Sequence, residues 1–86
     1  MAEEKASPME RIVVEIYGSN FPLKTDNPEH IMKLAAEVDK KMRQMSRSVK
    51  SFDNQKIAAL TALQMAEEYY QLKKDYDELL ELLNEK

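Results

Sequence analysis

The chain has 86 residues, a net charge of −3, 43% hydrophobic and 34% charged residues, one glycine, one histidine and no cysteine or tryptophan. A chain of this size buries only about 60% of the surface its unfolded form exposes, which limits it to one small, marginal domain. The composition excludes a disulfide framework, a thiol nucleophile and any cysteine-based metal site, and leaves oligomerisation as the remaining way to stabilise a small scaffold.

Residues 1–10 are polar, include Ser7-Pro8 and show no period, and read as a flexible tail. From Arg11 the pattern changes: Ile12, Val14 and Ile16 alternate with Arg11, Val13, Glu15 and Tyr17. That is a β-branched strand with one strongly apolar face. Gly18-Ser19 supplies the glycine where a two-residue II′ turn needs positive φ. Phe21 and Leu23 alternate over a second short strand, giving a hairpin over 11–24, with Pro22 confining that strand to an edge. A lone hairpin is marginal in water, so it must pack on a helix or on another chain.

Thr25-Asp26-Asn27-Pro28 starts a helix, with Asn27 or Asp26 as the cap, Pro28 at the first position and Glu29 at the positive end of the dipole. Ile31, Ala35, Val38, Met42, Met45 and Val49 recur at spacings of four and three, with Leu34 widening the stripe, which predicts an amphipathic helix over 28–48. An α/β head over 11–52 results. Ser51 or Asp53 then caps a second helix over 53–86, because residues 53–84 contain no glycine or proline.

The long helix has two parts. Residues 53–66 include IAALTALQMA, apolar on nearly every side, as in a helix enclosed by others. Residues 67–86 narrow to a seam. Ala58, Ala62, Met65, Tyr69, Leu72, Tyr76, Leu79 and Leu83 alternate spacings of four and three over nearly four heptads, a coiled-coil pattern. Helix 1 is shorter by about 16 Å at 1.5 Å per residue, so the seam has nothing in its own chain to meet. At least a dimer is expected, and a dimer of dimers fits best. The flanking Leu80 and Leu82 broaden the seam, and the residues alone leave parallel and antiparallel pairing open. The fold class is α+β: a small hairpin-plus-helix head followed by one long C-terminal helix forming an intermolecular coiled coil.

No constellation for catalysis, metal or cofactor binding emerges. His30 is the only imidazole and reads as a partly exposed residue at a helix start. Asp75, Asp77, Glu78 and Glu81 read as the solvated face of a coiled coil, and the methionines as core filler. One glycine cannot build a phosphate-cradling loop. The absence of cysteine fits a reducing compartment, and MAEEKASPMERI lacks an apolar signal stretch, so a cytoplasmic protein is expected. No apolar run approaches the roughly 18 residues of a membrane span, so no membrane insertion is expected.

Charge is unevenly distributed: residues 1–30 carry −3, residues 31–52 carry +4 and residues 53–86 carry −4. Lys40, Lys41, Arg43, Arg47 and Lys50, continued by Lys56, form a basic block at the end of helix 1 and beyond. The helix dipole accounts for part of it. The rest reads as a docking patch, with Lys40, Arg43, Arg47, Lys50 and Lys56 as partner-binding candidates. A pI near 5.2 is far from a nucleic-acid-binding footprint, so an acidic protein is the expected partner.

Together, Val14-Glu15-Ile16-Tyr17-Gly18, Pro28-Glu29-His30-Ile31, Val38-Asp39-Lys40-Lys41-Met42 and Lys56-Ile57-Ala58-Ala59-Leu60-Thr61-Ala62-Leu63 resemble, in order and spacing, the ZapA family of Z-ring-associated cell-division proteins. The resemblance covers roughly residues 11–76. It implies a head that dimerises, antiparallel coiled-coil contacts joining two dimers into a tetramer, and bundling of protofilaments of the tubulin-like GTPase FtsZ at mid-cell. It also implies a partner surface on the head, in the region of Arg43, Arg47, Lys50 and Lys56. The alternative is a generic coiled-coil adaptor or chaperone-like tentacle protein. In prefoldin-type subunits, however, the hairpin lies between two long helices, whereas here it precedes both. A DNA-bridging protein ranks below these, and an enzyme lower still.

Overall fold

The computed structural model describes residues 8–84. Four elements follow in chain order: β1 (Glu10–Ile16), β2 (Ser19–Thr25), α1 (Pro28–Val49) and α2 (Asn54–Asn84). The expected tail over 1–10 lies outside the described residues up to residue 7, and Glu10 already pairs with Thr25 as part of β1. The chain divides after Lys50 into two compact units.

β1 and β2 form a two-stranded antiparallel sheet in which Ile16 pairs with Ser19, Val14 with Phe21, and Ile12 with Leu23. This register places the turn at Tyr17-Gly18, one residue earlier than the Gly18-Ser19 turn expected. Tyr17 has φ 51° and Gly18 φ 82°, so both central residues are left-handed. Positive φ at both positions is the I′ pattern, whose twist matches that of the flanking strands; a II′ turn needs it only at the first. The structure therefore corrects both the position and the type of the turn.

Hydrogen-bonded and non-bonded pairs alternate along an antiparallel ladder. Counting from the closing pair Ile16–Ser19, Val13–Pro22 is a non-bonded pair. The missing N–H of Pro22 therefore faces away from β1 and costs the ladder nothing.

One face of the hairpin carries Ile12, Val14 and Ile16 with their partners Leu23 and Phe21. α1 packs on β1, and Val14 is 4% exposed, with Ile12 and Ile16 part-covered. On the same face Phe21 and Leu23 remain 45% and 40% exposed, so the β2 half of the sheet is only partly covered. From α1, Ala35 and Met42 are buried, and Ile31, Val38 and Met45 are part-covered. This is the apolar stripe read from the four-and-three spacing.

α1 starts on Asn27, whose Oδ1 accepts the His30 backbone N–H at 3.2 Å, with Pro28 just inside the helix. Asn27, not Asp26, is the cap. The Thr25 hydroxyl, in a buried residue, in turn accepts the Asn27 N–H at 2.9 Å. The helix ends at Val49, one residue later than expected, because Lys50 adopts φ 53° and donates its N–H to the Ser46 carbonyl at 2.9 Å. That is a left-handed C-cap, made here without glycine.

α2 starts on Asp53, whose Oδ1 accepts from the backbone N–H groups of Gln55 (3.0 Å) and Lys56 (3.2 Å). Ser51 accepts the Asp53 N–H at 3.1 Å, so the two candidate caps act in series. At 1.5 Å per residue α2 is about 46 Å long. Its buried residues are Ile57 and Thr61, with Leu60 and Met65 part-covered. Ala58 and Ala62 lie one position along from Ile57 and Thr61 and are exposed.

Candidate functional site

The hairpin turn is tied to α1 by one acidic side chain. Asp39, which lies on the turn-facing side of α1, accepts the Tyr17 backbone N–H on Oδ1 at 2.7 Å. Its Oδ2 accepts from Arg43 Nε at 2.9 Å, an i,i+4 pair within α1. The Arg43 guanidinium carbon stands 5.7 Å from the centroid of the Tyr17 ring, at the outer limit of a cation–π contact. One carboxylate therefore holds both the turn backbone and the guanidinium that lies over the turn's ring.

The electrostatics follow from that geometry. The hydrogen bond from Arg43, then the backbone N–H of Tyr17, hold the Asp39 carboxyl below the usual carboxylate value. The same hydrogen bond pushes the Arg43 guanidinium further into its charged form, with Glu15 of β1 adding to the effect. Arg43 is thus partly neutralised by Asp39 and Glu15. A left-handed tyrosine costs about 1 kcal/mol relative to a residue that favours this region. The Asp39 contact offsets that cost.

The other basic candidates lie around this cluster. Lys40, Arg43 and Arg47 are spaced three and four apart on α1 and all are exposed. At 100° per residue they form one face about 150° around the helix from the buried stripe. Arg47 sits in the last turn, where the dipole favours a cation. Lys50 has left the helix as its cap, so it does not continue the face. Lys56 belongs to the first turn of α2, in the other unit. Lys41 lies 3.9 Å from Glu37, in an i,i+4 pair off the basic face.

On α2 the residues expected to form a seam, Tyr69, Leu72, Tyr76, Leu79 and Leu83, are all exposed in the single chain, and Met65 is part-covered. Leu80 is the least exposed of the leucines beyond residue 70. Two acidic residues of this helix are engaged along it: Lys73 lies 3.5 Å from Asp77, and Gln71 donates to Asp75 at 3.0 Å. No group of three His, Asp or Glu side chains able to hold a metal ion occurs among the described residues. No described helix is long and apolar enough to cross a membrane. His30 is exposed.

Two members of the turn cluster, Tyr17 and Asp39, were not among the candidates read from the sequence. The i,i+4 spacing of Asp39 and Arg43 is a visible signal for their ion pair. The bond from Asp39 to the Tyr17 N–H spans 22 residues, and nothing local announces it.

The family model described as "Cell division protein ZapA" matches residues 12–86. The chain is 38% identical over 85 residues to a Cell division protein ZapA of Geobacillus sp. (strain WCH70), covering 98% of this chain and 94% of that protein. It is 36% identical over 87 residues to the Cell division protein ZapA of Bacillus mycoides (strain KBAB4), covering 100% and 97%. A solved structure described as "ZapA mutant dimer from Geobacillus stearothermophilus" superposes with a TM-score of 0.70 at 37% identity, covering 99% of this chain and all of that one. The chain belongs to the ZapA family of cell division proteins.

Proposed function

We propose that this chain is a non-enzymatic, cytoplasmic cross-linker that acts at the mid-cell division site, binding FtsZ and bundling its protofilaments into a more stable Z-ring. The observation that carries the reading is the pairing of an exposed basic face on α1 with an exposed Tyr/Leu row on α2. The first suits an acidic polymer surface. The second suits association between subunits.

The head forms a homodimer and the α2 seam joins two dimers into a tetramer. The half-covered Phe21 and Leu23 and the dimeric relative support the first step. The seam Ala58, Ala62, Met65, Tyr69, Leu72, Tyr76, Leu79 and Leu83 supports the second through its heptad spacing. Binding faces at both ends make the assembly bivalent. A weak contact at each end is then multiplied along a filament by effective concentration. Lys40, Arg43, Arg47, Lys50 and Lys56 remain the proposed contact residues, with Lys40 and Arg47 as the direct charge contacts.

Co-sedimentation with polymerised FtsZ tests the reading. The parent chain should pellet with the polymer at low salt and be released as salt rises, because exposed charges are screened beyond about 10 Å at 0.1 M. Lys40→Glu combined with Arg47→Glu should abolish pelleting at unchanged oligomeric mass. These two positions leave the Asp39–Arg43 pair in place. A parent chain that stays in the supernatant, or a doubly reversed chain that pellets like the parent, refutes the assignment.

A further inference from the structure

The hairpin turn carries an unusual residue for its backbone. The first central position of a I′ turn is ordinarily Asn, Asp or Gly, because φ is positive there. Here it is Tyr17, at φ 51°, followed by Gly18 at φ 82°. Strain held in place by its surroundings is a reason to look for a role for the side chain that requires it. Asp39 supplies the holding contact through the Tyr17 N–H at 2.7 Å, and it also binds Arg43 Nε at 2.9 Å. The product of this arrangement is a half-buried phenol with a guanidinium 5.7 Å from its ring centroid, next to the exposed Lys40 and Arg47. Tyrosine and arginine are the residue types most often found where a few side chains dominate binding.

We propose that Tyr17 and Arg43 together form a contact point for an acidic segment of the partner, and that Asp39 is a positioning residue for both. This rests on the reading that the basic face of α1 binds the division polymer. In it, the partner's carboxylate takes the guanidinium N–H groups that Asp39 leaves open, while the Tyr17 ring covers the apolar part of the same segment. The planar fork of arginine, held by one carboxylate, meets a second carboxylate with less side-chain entropy left to lose. A net charge of −3 and a pI near 5.2 disfavour a nucleic acid or an anionic lipid surface, and an acidic peptide segment is the occupant that fits a small basic face on such a chain.

The proposal makes an inverted prediction for one substitution. Asp39→Asn keeps an acceptor for the Tyr17 N–H but removes the negative charge that holds Arg43. On charge alone the basic face gains one unit, and at about 10 Å in water this tightens an acidic partner by about twofold. A positioning role predicts the reverse: weaker binding, by about fivefold or more, the scale of losing one dominant contact. Tyr17→Asn is the second arm. Asparagine suits the left-handed position, so the turn should be kept or firmed, while the ring is lost.

The experiment is co-sedimentation of the full chain with polymerised FtsZ at low salt, comparing the parent, Asp39→Asn, Tyr17→Asn and Arg43→Lys. Helix content, unfolding midpoint and oligomeric mass are measured alongside. The expected result is at least a fivefold loss of apparent affinity for all three variants, at parental mass and helix content, with Tyr17→Asn no less stable than the parent. Tighter pelleting by Asp39→Asn, or parental pelleting by Tyr17→Asn, overturns the inference while leaving the polymer-binding reading intact. A parent chain that does not pellet defeats that broader reading and this inference with it.

Discussion

Replacing Leu72 by aspartate separates the folding of one chain from the association of several. Leu72 is 67% exposed in the single chain, so the substitution removes little intrachain contact. The direct cost to α2 is a helix propensity difference of about 0.5 kcal/mol. In a seam, the exposed two-thirds of the side chain becomes covered, which at about 2 kcal/mol for a whole leucine contributes roughly 1.4 kcal/mol per copy. Two facing copies contribute about 3 kcal/mol, so losing them weakens association by at least a hundredfold. An aspartate left unpaired in the seam adds several kcal/mol more. Sedimentation velocity across a concentration series, with circular dichroism on the same samples, reads both effects. Helix content should be nearly unchanged while the proposed tetramer falls to dimer. Tyr70→Asp is the matched control, because Tyr70 is 64% exposed in the chain but lies one position off the seam. Parental mass for Leu72→Asp, or equal dissociation by Tyr70→Asp, refutes the heptad register.

Three further outcomes follow from single residues. Gly18→Ala meets no atom within 4 Å of the added Cβ, so its whole cost is the left-handed backbone at φ 82°, about 1 kcal/mol; thermal unfolding showing no loss contradicts the I′ geometry. Thr61 is 2% exposed and its Oγ1 has no hydrogen-bond partner among the described groups, so Thr61→Val should stabilise the chain by about 1 kcal/mol. A destabilised variant means that the hydroxyl is bonded in the assembled protein. Asp39 titrates below its ordinary value of 3.8, so its contribution to stability is fully present above that pH and is lost as pH falls through the lower folded-state value. The Tyr17 amide, followed by hydrogen exchange or its NMR shift, should keep its protection down to pH 4 and lose it only in more acidic solution, and the Asp39→Asn variant should show no such step.

The sequence made the elements legible wherever one periodicity dominated. Ile12, Val14 and Ile16 define a strand face, and Ile31, Ala35, Val38 and Met42 define a helix stripe; both patterns correspond to covered side chains. Ends were less legible, because they depend on single backbone angles. Lys50 in a left-handed cap extends α1 by one residue, and no residue type at that position signals it. The turn moved for the same reason. Glycine marks positive φ, but the second left-handed residue precedes it and is a tyrosine. Its conformation is maintained by Asp39, 22 residues away, and a pairing of that range lies outside any local pattern. The candidate site divides along the same line. The basic residues were visible as charge, whereas the involvement of Arg43 with Asp39 and the Tyr17 ring emerged only once the turn was placed against α1.

Pro22 has a consequence for how the sheet can grow. A two-stranded sheet has two open edges, and each is a template for another strand. Along β2 the groups facing outward come from Asn20, Pro22 and Lys24, and the middle one has no N–H to give. A foreign strand laid there would leave its central carbonyl unmatched, with a lysine beside the gap. Strand addition is thereby confined to the β1 side of the hairpin. For a small two-stranded sheet, one blocked edge converts an open-ended ladder into one that terminates.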